Sequence, residues 1–394
     1  MYRTVVVLCC GFALASCSQT HVASPFLASP QKAAAPQVEN YRILANFTGP
    51  DGSRPRASLD PRNGLLYSTV SDGGEHGMGA VFRVDPGGHP RVLHDFDGGD
   101  GCAPTGGVTV TGGNLLFGTT SSCGNASKGG TVFSVYIAAP VRLRTIHKFD
   151  LATDGGNPEG TPLRIGTTVY GTTRNGGAGG KGTIYSIDVN TDEFRVLYAF
   201  GKDNDAANPV AGLVEAGGKL FGTSEEGGKD RAGTIYEFDP STGKEKVLHS
   251  FDRTDGARPI AALTSSGGVF YGVTHTGGTN SAGVIFKFNP ANGDETVLYQ
   301  FSSGDGLGPN GPLIVWKDAL YGTTKRGGKS GKDFGTVFRF TPATKAYDEV
   351  YAFSGAPDDG ARPEAGLALS RDVLFGTTAA GGTKDLGTAF SIIP

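Results

Sequence analysis

The 394-residue chain lacks a positive surplus: its formal net charge is -3 and no basic stripe runs along it, which excludes electrostatic capture of nucleic acid. It also lacks an apolar run of membrane-spanning length. The apolar stretch over residues 5–14 is too short to cross a bilayer and follows the basic Arg3, so it reads as an export signal. Cysteine is scarce: five are present, three of them (Cys9, Cys10 and Cys17) within the first twenty residues, and no Cys-x-x-Cys pair exists to make a dithiol redox site. No Gly-x-Ser-x-Gly elbow occurs. The segment Gly177-Ala178-Gly179-Gly180-Lys181-Gly182 satisfies the dinucleotide pattern, and residues 322–330 resemble a P-loop with one residue too many. Both join antiparallel strands and lack the helix whose N-terminus would hold phosphate.

What the chain has in excess is glycine, 64 residues, and it recurs at fixed places, the mark of tight turns rather than disorder. The organising stretch is Leu320-Tyr321-Gly322-Thr323-Thr324-Lys325-Arg326-Gly327-Gly328, continued by Gly335-Thr336-Val337-Phe338. Seven versions occur. Their aromatic sits at Tyr67, Phe117, Tyr170, Phe221, Tyr271, Tyr321 and Phe375, in steps of 50, 53, 51, 50, 50 and 54 residues. A repeat covering nearly the whole chain overrules the two or three domains that length alone allows.

Each unit carries a mixed apolar and aromatic strand ending at Phe47, Phe96, Phe149, Phe200, Phe251, Phe301 or Phe353. An Asp-Gly-x-x-Pro turn follows, then a small-residue strand, the Leu-Tyr-Gly-Thr-Thr strand, a Gly-Gly loop and a Gly-Thr-Val-Phe strand. Units of this length with four antiparallel strands predict an all-β, seven-bladed β-propeller over residues 41–394. The first strand, 41–47, matches the last strand of the unit, whereas 387–393 matches the third. The N-terminal strand is therefore expected to complete the C-terminal blade and remove an exposed edge.

On these Leu-Tyr-Gly-Thr-Thr, Gly-Gly and Gly-Thr-Val-Phe elements, residues 41–394 resemble the GloVer tandem repeats of bacterial secreted and surface proteins. The resemblance implies fold and location and no defined catalytic activity. Leu14-Ala15-Ser16-Cys17 resembles the lipobox of bacterial lipoproteins, which implies a signal peptide over 1–17, lipidation at Cys17 and, with Ser18 following, residence at the outer membrane. The competing processing, after Ala13-Leu14-Ala15, would release a soluble protein. Residues 18–40, rich in Ala, Pro, Ser and Gln, read as a flexible tether.

With the strands labelled a to d from the axis outward, the d-to-a and b-to-c loops share one face, and both glycine-rich motifs are those loops. Asp51, Asp100, Asp154, Asp205, Asp255, Asp305 and Asp359 gather there. An aspartate repeated before glycine in every turn is turn chemistry, and 95–100 lacks the acidic spacing and terminal Glu of a calcium loop, so no metal or cofactor is assigned. Cys102 and Cys123 fall on adjacent loops of one blade. A disulfide is predicted between them, worth about 3 kcal/mol in the chain-entropy model. His94, His147 and His249 occupy the place of Tyr198, Tyr299 and Tyr351 on other blades and read as packing residues on the outer strand.

What differs between blades points to function. Arg54, Asp72, Arg174, Glu225, Glu226, Arg258, His275, Lys325, Arg326 and Arg362 lie on the variable loop positions and are the candidate binding residues, placed to line the mouth of the axial channel with mixed charge. Glu225, Glu226 and His275 offer acid and base groups, but no third histidine completes a zinc set, and no catalytic residue is assigned. The expectation is a binding or interaction platform, not an enzyme, for a glycan, a peptide or a protein partner. A polysaccharide-active hydrolase or lyase and a purely structural surface protein are the alternatives.

Overall fold

The computed structural model describes residues 40–394 apart from 86, 87, 112, 113 and 203. The signal peptide, Cys17 and the tether up to residue 39 lie outside the described residues. No described helix is long and apolar enough to cross a membrane. Among the described residues, seven four-stranded antiparallel units follow one another over 60–95, 109–148, 163–199, 214–250, 264–300, 314–352 and 368–392, numbered here as blades 1 to 7. In blade 6 the short strand Leu307–Pro309 also joins the sheet, pairing with Ala319–Arg326.

Closure follows the expected route. Blade 7 runs in the order Ala368–Ser370, Val373–Thr378, Thr388–Ile392 and then Tyr41–Asn46, with Tyr41 opposite Ile392 and Asn46 opposite Thr388. The phenylalanine ending each outer strand explains why the seam between blades is regular. Phe47, Phe96, Phe149, Phe200, Phe251, Phe301 and Phe353 are all fully buried. Each meets an aromatic of the next blade's third strand edge-on, at centroid distances of 5.0–5.3 Å. This is the favoured geometry of two ring quadrupoles.

The glycine of Leu-Tyr-Gly-Thr-Thr exists for those same rings. At Gly118, Gly171, Gly222, Gly272, Gly322 and Gly376 a Cβ would come within 2.3–2.6 Å of the third-strand aromatic opposite. The far end of the ring therefore lies against bare backbone. The threonines are staples: the hydroxyls of Thr69, Thr172, Thr223 and Thr323 each donate to a carbonyl of the next blade, at 2.8–3.0 Å. Thr377 does so to Ala57 at 3.2 Å, across the point of closure. The next residue of the motif bonds within its own blade, as in the Thr120–Thr131 and Thr324–Thr336 hydroxyl pairs at 2.8 Å.

In every blade the d-to-a loop pairs with the b-to-c loop. The contacts are Ser53 with Asp72, Cys102 with Ser122, Gly156 with Asn175, Ala206–Ala207 with Glu226–Gly227, Ala257 with Thr276, Leu307 with Arg326, and Gly360–Ala361 with Ala380–Gly381. The Cys102–Cys123 disulfide forms beside the second of these. The ring of aspartates does the turn work expected of it. Asp205, for example, accepts from Gly201, Lys202 and Ala206 N–H groups, and Asp359 from Ser354 and Gly360.

Candidate functional site

Two loop positions per blade carry the variation; one borders an axial cavity on four of the seven blades and the other on every blade. One follows the Thr-Thr pair: Ser71, Ser121, Arg174, Glu225, His275, Lys325 and Ala379. The other follows the turn proline: Arg56, Thr105, Glu159, Val210, Ile260, Asn310 and Glu364. The residue before the proline brings the two together. It adopts a left-handed backbone in all seven turns, with φ between 51° and 61°, and in six of them its carbonyl accepts the N–H of the residue after Thr-Thr at 3.0–3.3 Å. In those six a backbone bond thus sets the two variable side chains side by side.

All seven turns border one axial cavity of about 680 Å³. Its charged residues form two clusters. In the first, the buried Glu225 accepts from Arg174 Nη2 at 2.7 Å and from Arg258 through Nε at 3.0 Å and through Nη2, while Arg174 Nη1 reaches Glu159 at 3.3 Å. In the second, Glu364 binds Arg56 at 3.2 Å and Lys325 at 2.9 Å. Burial holds the Glu159 carboxyl above its usual range, with Arg174 pulling it back and Glu225 adding to the rise. His275 stands between the clusters. Burial, then the Arg258 and Lys325 charges, push its imidazole below the ordinary value, and its buried Nδ1 has no hydrogen-bond partner.

Of the ten residues singled out in the sequence, Arg174, Glu225, Arg258, His275 and Lys325 border this cavity. The other five do not. Arg54 and Asp72 pair with each other at 3.7 Å on the exposed face, and Arg326 pairs with Asp333 at 2.5 Å. Arg362 is exposed, and Glu226 faces Lys181 at 3.9 Å and a second cavity. Arg56, Glu159 and Glu364 were missed. The signal available for them was variation directly after the turn proline. Both Glu225 oxygens are taken by guanidinium groups, so its carboxylate ties Arg174 and Arg258 together.

The outer strands hold a different titratable set. His94, His147, Tyr198, His249 and Tyr351 each contact the turn aspartate of their seam at 2.5–3.1 Å, so the three histidines clasp as well as pack. At other seams a ring from the next blade covers the clasp, as Phe194 stacks on His147 at 3.6 Å and Tyr347 on Tyr299 at 4.5 Å. At seams 3/4 and 4/5 that place is held by Glu245 and Glu295. Burial, then Asp205, pushes Glu245 up to about 8, and burial, with Asp255 and Asp252 adding and His249 opposing, pushes Glu295 up to about 7. His249, Asp255 and Glu295 bring possible ligand atoms within 4.8 Å of one another. The His–Asp clasp recurs at seams that lack the glutamate, so the contact itself requires no ion.

Fold and site together define a seven-bladed propeller whose Gly-Gly loop face opens on a charged axial mouth. The model of the Gloeobacter/Verrucomicrobia repeat matches residues 33–164, 116–284 and 264–394, and the chain belongs to that family. No curated protein matches it in sequence. Among solved structures it is similar to the extracellular domain of a protein described as a hybrid two component system from B. thetaiotaomicron, with a TM-score of 0.60 and 10% identity over 89% of this chain. The chain spans 39% of that protein. It is also similar to an oligogalacturonate lyase from Vibrio parahaemolyticus (TM-score 0.54, 12% identity, 87% of this chain and 90% of that one). A third is a puromycin-hydrolyzing peptidase of Mycobacterium tuberculosis (0.51, 12%, 86% and 52%). At these identities the likeness is one of fold alone. The Cys102–Cys123 disulfide is a bond that an oxidising compartment outside the cytoplasm sustains.

Proposed function

We propose that the protein is an exported, lipid-anchored binding platform that takes a polar ligand at its axial mouth. One observation carries the reading. The residue after Thr-Thr is small on three successive blades, Ala379, Ser71 and Ser121, and long and polar on the four that follow, Arg174, Glu225, His275 and Lys325. Symmetric packing explains a residue repeated in every blade and gives no reason for one half of a ring to differ from the other. Long polar side chains at this one position over half of the ring, facing a cavity of ligand-binding size, supply such a reason.

A glycan and peptide array on the full chain tests this, with the double variant Glu225→Gln/His275→Ala beside it. The expected result is binding to at least one polar ligand, weakened about tenfold or more in the variant. Silence across the array at millimolar concentration overturns the platform. Consumption of a polysaccharide by the native chain, abolished in the variant, replaces it with the hydrolase or lyase alternative. The anchor is tested separately by the mass of the N-terminal peptide, expected to begin at Cys17 and to carry acyl chains. An unmodified mature N-terminus removes lipidation from the proposal.

A further inference from the structure

We infer that the axial mouth continues into a groove over blades 4 and 5, and that the whole is built for a linear carboxylated oligosaccharide of the uronic acid type. The inference rests on the axial-mouth reading above and specifies its ligand. A second cavity, of about 490 Å³, opens on the same face and shares Glu225 and Arg258 with the axial one, so their ion pair forms the wall between two compartments of one trough.

The charge of the trough runs against that of the chain. Arg231 and Arg253 add to Arg56, Arg174, Arg258 and Lys325, giving six cations against the four carboxylates of Glu159, Glu225, Glu226 and Glu364. The chain as a whole carries -3. Arg231 and Arg253 are exposed, and no carboxylate among the described residues pairs with either. Their backbones are held in the left-handed region, with φ of 53° and 77°, and tied by turn bonds to Gly228 and Gly256, so each side chain leaves from a defined point. Guanidinium groups so placed present planar forks to a carboxylate.

The mixture of signs selects the ligand further. A sugar acid carries one carboxylate per ring for the arginines and several hydroxyl donors beside it for the glutamates, whereas the side chains of an acidic peptide bring carboxylates with no hydroxyl donors to meet those four glutamates. Neutral sugars are the third class. Among the described residues no Trp, Tyr or Phe borders either cavity, so they offer no flat apolar platform on which a neutral sugar ring stacks.

The test is calorimetric titration of the full chain with tetrameric uronates, oligomannuronate and oligogalacturonate in parallel. Their methyl esters, a neutral tetramer of the same length, the monouronate and a poly-glutamate peptide complete the panel. Expected are binding of a uronate tetramer that weakens as salt rises, and a methyl ester at least about tenfold weaker. Arg231→Gln/Arg253→Gln, a change at two exposed positions whose melting temperature is checked first, should bring tetramer affinity down to that of the monouronate. Lys325→Met should lower both. Equal binding of the ester or the neutral tetramer overturns the carboxylate, and tighter binding of poly-glutamate overturns the sugar. Full tetramer affinity in the arginine variant overturns the second compartment. If every uronate fails while another polar ligand binds and responds to Glu225→Gln/His275→Ala, this inference falls and the axial platform stands. If nothing binds, both fall.

Discussion

A chain that begins at Gly49 should not yield a stable folded monomer, whereas one that begins at Gln37 should. The missing strand, Tyr41–Asn46, is the outer edge of blade 7, and its removal bares the Thr388–Ile392 strand. It also removes Tyr41, which stacks on Tyr351 at 3.9 Å and donates its hydroxyl to Asp359 at 2.8 Å, and the fully buried Phe47 that seals the seam onto Phe82. Phe47 alone is worth about 3–5 kcal/mol. The sum of these losses reaches the roughly 5–15 kcal/mol that hold an ordinary domain together. Size-exclusion chromatography and near-ultraviolet circular dichroism provide the measurement, with Phe47→Ala as the milder change. A truncated monomer that melts within a few degrees of the longer chain would show that the ring does not depend on this closure.

The double substitution Glu245→Gln/Glu295→Gln should stabilise the protein at alkaline pH and leave it nearly unchanged at pH 4. Both carboxyls sit above their usual range in the fold, at about 8 and about 7, so the folded state holds their protons more tightly than the unfolded chain does. Their contribution is therefore fully present below the unfolded value and is lost as pH rises through 7 and 8. Both remain partly open to water. After allowance for that screening the loss is on the order of 2 kcal/mol each, or about 4 kcal/mol for the pair. Glutamine keeps the shape and cannot ionise. Denaturant titrations from pH 4 to pH 9 should diverge, the variant gaining over the native chain as pH rises, and parallel profiles would refute the assignment. The groups facing the two carboxyls, namely Asp205 and Lys202 at one seam and His249, Asp255 and Asp252 at the other, are common to both proteins and do not obscure the comparison.

The closing strand was legible because it is one repeat element out of order, and Cys102 and Cys123 because both interrupt motifs of the same unit. The histidines were legible as stand-ins for Tyr198, Tyr299 and Tyr351. Glu245 and Glu295 were not, since each acquires meaning only from the aspartate of the preceding blade. The same holds at the axis. Arg174, Glu225 and Arg258 were visible as loop variation, but that the first and third clamp the second is a relation across three blades.

Periodicity, glycine placement and aromatic placement were enough to determine seven blades, their strand order and the face on which variable loops gather. Each of those is a local steric demand repeated at a nearly constant step, and repetition makes such demands readable one unit at a time. Which charges meet, which remain free and which carboxyls keep their protons was decided by the closed ring alone. Curvature brings residues 33 and 51 positions apart to within bonding distance, and burial there changes the cost of a charge in a way no single repeat contains.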